Sequence, residues 1–255
     1  MKIKKAALIL TALAAALVLF TGCSRQKKTI INVGVSDNIV NWSFKSGKSE
    51  NHYGAEMDFL NYLGEENKNL EFRLVSVDYD TREQKLLDGK IDCILSLFSI
   101  TDERKEKFDL SEPYYSSPTI LMVENSSMFN SISDLSGKRI GVLGEDSIPA
   151  EQLLSRFDRL RLKAPVLVED SSYDSLSEQL EEGQIEAICF EEAVAYTYGN
   201  KERSILSGNL GMQSYAMAFR KDDPLTKDLL TSANRLAGDP RTKALFEAWG
   251  FKTYE

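Results

Sequence analysis

Apolar positions along the chain follow two spacings, one typical of buried strands and one typical of helices. Short β-branched runs predict strands, whereas apolar residues three or four positions apart predict helices. Strands and helices alternate, which predicts an α/β fold with mostly parallel sheets covered by helices on both faces. The predicted strands are 30–35, 70–75, 91–95, 119–123, 139–143, 166–168, 185–190 and 214–220, and the predicted helices are 54–65, 79–88, 147–157, 172–181, 225–236 and 241–249.

Two segments of similar form indicate an internal repeat. Leu86-Leu-Asp-Gly-Lys-Ile-Asp92 and Leu180-Glu-Glu-Gly-Gln-Ile-Glu186 each follow a helical pattern and precede an apolar run. In each, the glycine is placed to end the helix with a positive φ. We therefore expect two similar α/β lobes, a coincidental likeness being the alternative. The expected division is 30–117 with 217–255 for the first lobe and 118–216 for the second, with two crossover connections and a ligand cleft between the lobes.

The first 29 residues are typical of an export signal and a tether. A cationic start is followed by an apolar run from Ala6 to Phe20, which is short for a membrane-spanning helix. Phe20-Thr21-Gly22-Cys23 resembles a lipobox, with Phe20 where leucine is usual. This resemblance implies a signal peptide over 1–22, a lipid bearing palmitate on Cys23 and a polar tether over 23–29. An ordinary signal peptide with a leftover cysteine is the alternative.

Charge and the scarcity of metal-binding residues exclude several functions. The chain has 31 basic and 39 acidic residues, a net charge of −8, which argues against nucleic acid as a partner. His52, Cys23, Cys93 and Cys189 are too widely spaced for a metal site, and no cofactor is expected. Cys93 and Cys189 lie in apolar runs and are expected to be free buried thiols, although export makes a disulfide the alternative.

A polar segment after the predicted strand 91–95 is a candidate anion site. Thr101 is suited to cap a helix that starts at Asp102, which places Arg104 in its first turn. The free backbone N–H groups and a guanidinium fork favour a carboxylate. Ser96 and Ser99 add polar groups at the end of a strand, where α/β sheets bind ligands. The alternative is that Arg104 pairs with a surface acid, worth less than about 1 kcal/mol.

The segment from Ile91 to Tyr115, with Ser-Ile-Thr-x-x-Arg followed by Pro-Tyr-Tyr, resembles the signature of polar amino-acid-binding proteins of bacterial ABC importers. The resemblance extends over nearly all of 30–255. It implies the type II periplasmic-binding-protein fold and a monomeric, lipid-anchored receptor on the outer face of the cell membrane, without enzymatic activity. Such a receptor binds a polar amino acid or related zwitterion between two closing lobes and delivers it to a membrane permease.

The same resemblance implies roles for residues of the second lobe. Glu191 stands where the family has an aspartate that holds the ligand ammonium, although it also suits a helix N-terminus. Ser147 keeps a hydroxyl where the family has threonine near the ligand carboxylate. Glu145 and Asp146 depart from the family pattern, and like charge would repel a carboxylate. Either they face solvent, or the ligand carries an extra cation, or it is not a standard α-amino acid.

Three aromatic residues are candidates for the wall around the ligand side chain. Tyr79 matches a family position for such a contact, Trp42 follows the first strand, and Phe98 interrupts the serine segment. Burial in the core is the alternative for each. Two other functions stay open, a sensing or adhesion receptor without a transporter, and a dehydratase-like enzyme with Glu191 as general acid.

Overall fold

The computed structural model describes residues 27–47, 49, 51–144, 147–170 and 172–254. The predicted signal peptide and the predicted lipidation site Cys23 lie outside the described residues, as do Glu145 and Asp146. No helix within the described ranges is long and apolar enough to cross a membrane.

The strands and helices alternate along the chain. The strands are β1 (Thr29–Val35), β2 (Asn38–Ile39), β3 (Ser43–Lys45), β4 (His52–Tyr53), β5 (Leu70–Ser76), β6 (Cys93–Ile94), β7 (Phe108–Leu110), β8 (Tyr115–Glu124), β9 (Arg139–Val142), β10 (Val166–Glu169), β11 (Ala187–Glu191), β12 (Arg203–Ile205), β13 (Gly211–Tyr215) and β14 (Ala218–Arg220). The α-helices are α1 (Ala55–Glu66), α2 (Arg82–Leu87), α3 (Asp102–Lys107), α4 (Ile148–Arg159), α5 (Tyr173–Glu181), α6 (Glu192–Tyr198), α7 (Lys227–Ala237) and α8 (Pro240–Ala248). Short 3-10 helices cover Asn125–Ser127 and Ile132–Leu135.

Two main sheets form the centres of the two lobes. The sheet of the first lobe has the order β5-β1-β6-β14-β7, and that of the second has the order β10-β9-β11-β8-β12, with β13 also paired to β8. β1 pairs in parallel with β5 and β6, and β9 pairs in parallel with β10 and β11. The predicted α/β class is thus confirmed, with antiparallel pairs where β8, β12, β13 and β14 join the sheets.

The chain passes between the two sheets twice, after β7 and after β13. The predicted single strand 214–220 is therefore wrong, because β13 pairs with β8 in the second lobe whereas β14 pairs with β6 and β7 in the first. Ala216 and Met217, both fully buried, connect them. An apolar run alone does not indicate where a strand changes sheets. The two C-terminal helices α7 and α8 both pack against α1 of the first lobe.

The repeated glycines end their helices as expected. Gly89 follows α2 with φ 69°, and Gly183 follows α5 with φ 70°. Glycine reaches this left-handed conformation without a steric penalty, so at both places the chain turns directly into the next buried segment.

Cys93 and Cys189 are free and buried, which confirms the expectation of two buried thiols.

Candidate functional site

A cavity of about 420 Å³ lies between the two lobes. Tyr79, Arg82 and Ser96 line it from the first lobe, and Ser147, Tyr173 and Glu191 line it from the second. Its size is in the range of small-molecule sites, and it combines aromatic surfaces with a few charged groups. The cavity is therefore the candidate ligand site.

Arg82 is a cation of the first lobe that lines the cavity, and only 3% of its surface is exposed. Its Nη1 donates a hydrogen bond to the carbonyl oxygen of Ser96. Its Nε and Nη2 are buried and have no hydrogen-bond partner among the described residues. Burial, followed by the charge of Arg104, lowers the pKa of Arg82 to about 10. The guanidinium therefore stays charged at neutral pH, with one edge unpaired.

Aromatic rings hold the Arg82 guanidinium in place. Its Cζ lies 4.5 Å from the ring centroid of Tyr79 and 5.1 Å from that of Phe98. The Arg104 Cζ lies 4.0 Å from the same Phe98 ring. A cation near an aromatic face is attracted by the ring quadrupole, so Phe98 is shared by two guanidinium groups.

Arg104 makes its hydrogen bonds within the first lobe. Its Nε donates to Glu83 Oε1 at 2.9 Å, and its Nη1 donates to the carbonyl oxygen of Ser99 at 3.0 Å. The Thr101 hydroxyl accepts from the backbone N–H of Arg104 at 3.1 Å, which confirms Thr101 as the N-cap of α3. Neither Arg104 nor Thr101 is among the residues that line the described cavity.

Glu191 is the acidic counterpart on the second lobe, at the end of β11 where α6 begins. Its Oε2 accepts a hydrogen bond from the Tyr173 hydroxyl at 3.0 Å. Burial raises the pKa of Glu191, and the Tyr173 hydrogen bond and the charge of Arg82 oppose this. The structure thus places opposite charges from opposite lobes on one cavity.

The serine residues have different surroundings. Ser96 and Ser147 line the cavity, and the Ser147 hydroxyl also accepts from the backbone N–H of Ala150 at 3.4 Å as the N-cap of α4. Ser99 is buried, and its hydroxyl donates to Gln213 Oε1 at 3.0 Å. Ser99 therefore contributes to the contact between β13 and the segment before α3.

The three aromatic candidates also differ in their surroundings, since one lines the cavity and two lie in the core. Tyr79 lines the cavity and is 47% exposed, so its ring is available to a ligand. Trp42 and Phe98 are fully buried and lie in the core. Trp42 packs on Tyr115 and Phe251, with ring centroids 4.8 and 4.2 Å away, and Phe98 meets Phe108 edge to face. Both rings therefore pack against other aromatic rings of the core.

Sequence reasoning did not identify Arg82, Tyr173 or Thr197 as residues of the site. In the sequence, Arg82 is one more charged residue of a polar helical segment, and its burial arises from tertiary contacts with Ser96 and Phe98. One available signal was its position three residues after Tyr79, which places both on one side of a helical turn. Thr197 lines the cavity, and its buried hydroxyl has no partner among the described residues.

Within the described ranges, no cluster of three or more His, Cys, Asp or Glu residues could hold a metal ion. The cavity is lined by a guanidinium, a carboxyl group and tyrosine rings, which are side chains suited to an organic ion. Two α/β lobes joined by two crossings, with a guanidinium and a carboxyl group on one cavity, are the arrangement expected of a solute-binding protein.

The family model of bacterial extracellular solute-binding proteins, family 3, matches residues 31–253. The chain belongs to this family, which consists of extracytoplasmic binding proteins, so the alternative of an enzyme is not favoured. The resemblance to polar amino-acid-binding proteins of ABC importers is thus confirmed at the level of the family.

Relatives of known name agree with this assignment. The chain is 28% identical to the ABC transporter glutamine-binding protein GlnH of Bacillus subtilis, covering 73% of this chain and 67% of the relative. It is 26% identical to the arginine-binding extracellular protein ArtP of the same organism, covering 90% and 89%. Among solved structures, a P235GK mutant of ArgBP from T. maritima matches with a TM-score of 0.71 and 26% identity, covering 89% of this chain and 96% of that one.

Proposed function

We propose that this protein binds a polar amino acid between its lobes and delivers it to the membrane permease of an ABC importer. The observation that carries the proposal is the pair of opposite charges, Arg82 and Glu191, that different lobes contribute to one cavity. An amino acid is a zwitterion, so its two charged ends match both members of this pair, whereas a singly charged solute would match only one of them. The names of the relatives, which include glutamine-binding and arginine-binding proteins, support the same class of ligand.

The division of the site between lobes gives a mechanism for loading. Neither lobe alone neutralises both ends of a zwitterion, so the ligand has a higher affinity for the closed arrangement and shifts the population towards it. Glu191 takes the ammonium, and Ser96 and Ser147 offer hydroxyls on opposite walls. Tyr79 and Tyr173 enclose the ligand side chain. The closed form then presents surfaces of both lobes to the permease.

Thermal unfolding with each of the twenty L-amino acids, ornithine and cystine tests the proposal. A ligand that binds only the folded state raises the melting temperature, by an amount that grows with its concentration. We expect at least one polar amino acid to do so, and calorimetric titration to give one site per chain. If no compound of the panel shifts the melting temperature at millimolar concentration, the proposed function is wrong.

The role expected of Arg104 in carboxylate binding stays a prediction. For Arg104 to reach a ligand, its guanidinium would exchange the contacts with Glu83 and the Ser99 carbonyl for contacts in the cavity. If Arg104 binds the ligand carboxylate, Arg104→Ala should weaken amino-acid binding more than tenfold without unfolding the protein. Calorimetric titration of this variant measures the effect.

Attachment to the membrane is the second part of the proposal. The lipobox-like sequence supports cleavage after Gly22 and a palmitate-bearing diacylglycerol on Cys23, with residues 24–29 as the tether. We expect the mature protein to be a monomer. Cells that express the full chain should incorporate labelled palmitate into it, and Cys23→Ser should abolish the label and release the protein from the membrane fraction. Equal labelling of both proteins would contradict the lipid anchor.

A further inference from the structure

We propose that Lys45 is a specificity-determining residue, which selects amino acids with an uncharged side chain because it neutralises Asp37 on the wall of the cavity. This inference rests on the proposed function and deepens it, because it names the class of polar amino acid that the receptor takes. It concerns the side chain of the ligand, and neither charged end of the zwitterion.

Asp37 is an acidic residue of the first lobe, in the loop that follows β1. It lines the cavity together with Ser76 and with Tyr79, the aromatic candidate for contact with the ligand side chain. The side chain of Asp37 is 39% exposed, so a ligand in the cavity can reach it. A carboxylate in this position would by itself favour a cationic side chain through electrostatic complementarity.

Three polar groups already surround the Asp37 carboxylate. Lys45 Nζ lies 3.1 Å from Oδ2, and His52 Nε2 lies 2.6 Å from Oδ1. The Ser76 hydroxyl donates to Oδ1 at 2.8 Å and accepts from Lys45 Nζ at 3.1 Å. Neither Lys45 nor His52 is among the residues that line the described cavity. The cation therefore reaches Asp37 from outside the space that a ligand would occupy.

The small sheet β2-β3-β4 brings both basic residues to one carboxylate. β3 and β4 are antiparallel, and Lys45 and His52 are direct cross-strand partners. The side chains of such partners lie close together on the same face of a sheet. The backbone N–H of Lys45 also donates to the carbonyl oxygen of Asp37 at 2.9 Å, which fixes β3 against the loop after β1. The pairing therefore follows from the register of the strands.

The negative charge of Asp37 is balanced by Lys45. Burial raises the pKa of Asp37, but the hydrogen bonds from Ser76, His52 and Lys45 outweigh burial and hold this pKa below its usual value. Asp37 is therefore an anion at neutral pH, and a ligand cation that approached it would also meet the like charge of Lys45. Protonation of His52 would add a second positive charge and disfavour a ligand cation further.

The other acids of the cavity do not provide a site for a cationic side chain. Besides Asp37, the acids that line the described cavity are Asp78 and Glu191. Asp78 is exposed, so water and salt screen its charge, and Glu191 is assigned to the ligand ammonium. Uncharged polar groups such as the amide of Asn38 complete the wall. An amino acid with an uncharged polar side chain therefore matches this lining best.

Two pairs of ligands of nearly equal shape test the inference. L-citrulline differs from L-arginine, and L-glutamine from L-glutamate, chiefly in the charge of the side chain. Calorimetric titration at one pH gives the ratio of affinities within each pair, and we expect the wild type to favour the uncharged member at least about tenfold. A variant that alters only the fold or the closure of the lobes changes both affinities equally and leaves the ratio unchanged.

Removal of either partner should shift the preference in the direction set by the charge that remains. Lys45→Met leaves Asp37 unbalanced, so affinity for arginine relative to citrulline should rise at least about fivefold. Asp37→Asn leaves Lys45 unbalanced, so affinity for glutamate relative to glutamine should rise by a similar factor. The double variant removes both charges and should return both ratios to within about twofold of the wild type.

Lys221→Met is the matched control for Lys45→Met. Lys221 Nζ lies 3.4 Å from Asp109 Oδ1 in the first lobe, both side chains are partly exposed, and neither residue lines the cavity. The substitution removes the same kind of ion pair and changes the net charge of the protein equally. Both ratios of affinities should therefore stay as in the wild type.

The outcomes distinguish this inference from the proposed function. If no amino acid of the panel binds the wild type, the proposed function fails and the inference fails with it. If the wild type binds but its tightest ligand has a charged side chain, only the inference is overturned. It is also overturned if Lys45→Met keeps the wild-type ratio of arginine to citrulline, or if Lys221→Met shifts that ratio as much. Where neither pair binds the wild type measurably, a gain of arginine binding in Lys45→Met supports the inference, and the absence of such a gain overturns it.

Discussion

Trp42 donates a hydrogen bond from Nε1 to the carbonyl oxygen of Ala193, 2.7 Å away. Trp42 precedes β3 of the first lobe, whereas Ala193 belongs to α6, directly after the candidate ammonium partner Glu191. Both residues are buried. This hydrogen bond therefore connects the core of one lobe to the helix that follows the acidic side of the cavity in the other.

Trp42→Phe should weaken both the fold and ligand binding. The ring is retained in part, but the buried donor is lost, so we expect the free energy of unfolding to fall by about 1–2 kcal/mol. Because the bond joins the lobes, its loss also disfavours the closed arrangement, and affinity should fall about fivefold. Chemical denaturation and calorimetric titration measure the two effects.

Trp249→Phe is the matched control for this variant. Trp249 Nε1 donates to Asp58 Oδ2 at 2.8 Å, and both residues belong to the first lobe. The same type of bond is lost without a change between the lobes, so stability should fall and affinity should stay within twofold. Equal losses of affinity in the two variants would contradict a specific role of the Trp42 bond in closure.

Glu191→Gln should stabilise the ligand-free protein while it weakens binding. Burial raises the pKa of Glu191. The stability that this carboxyl contributes is thus present below its unfolded pKa and is lost as pH rises through the folded pKa. Above the folded pKa the buried charge is a cost that glutamine removes, so the melting temperature should rise there, while affinity for the ammonium of the ligand should fall at least tenfold.

The neighbouring Glu192→Gln serves as the control. Glu192 accepts a hydrogen bond from Lys252 Nζ at 3.0 Å and another from the Tyr254 hydroxyl, outside the cavity. Its replacement should lower the melting temperature and preserve affinity. A Glu191→Gln protein that melts lower than the wild type at every pH, or binds as tightly, would contradict the role of Glu191 as a buried carboxylate that binds the ammonium.

Tyr173→Phe should change the pH dependence of binding. The Tyr173 hydroxyl donates to Glu191 at 3.0 Å and lowers the pKa of that carboxyl, against the larger effect of burial. Without this bond the pKa of Glu191 rises further. Since the ammonium needs the carboxylate, affinity should decline as pH falls through this pKa, and the decline should begin at a higher pH in the variant. Titrations from pH 5 to 8 test this, and superimposable profiles would rule it out.

The sequence was sufficient for features that depend on local pattern. Alternating strands and helices, the two helix-ending glycines and the Thr101 cap follow from spacing and residue type, and the structure has all of them. Glu191, Ser147 and Tyr79 were predicted from the family resemblance, and all three line the cavity.

Features that depend on tertiary packing could not be predicted from the sequence. Arg82 is buried because the Ser96 carbonyl and two rings from other segments surround it, and a polar helical segment does not reveal this. Trp42 became a core residue because Tyr115 and Phe251, distant in sequence, enclose it. The split of 214–220 into β13 and β14 likewise depends on which sheet each half pairs with.

The turn after α2 offers a test of backbone conformation separate from side-chain packing. Gly89 has φ 69°, and a Cβ added there would meet nothing within 4 Å. Gly89→Ala therefore introduces backbone strain without a clash, and the free energy of unfolding should fall by about 1 kcal/mol. Gly89→Asn should lose less stability, because asparagine tolerates the left-handed region better than alanine.

Gly64 is the matched contrast, since it lies within α1 and its added Cβ would meet Phe72 at an ordinary 3.5 Å. Gly64→Ala should raise the free energy of unfolding by up to about 1 kcal/mol through helix propensity. Urea unfolding of the three variants measures these differences, and a Gly89→Ala protein as stable as the wild type would show that positive φ is not what this position requires.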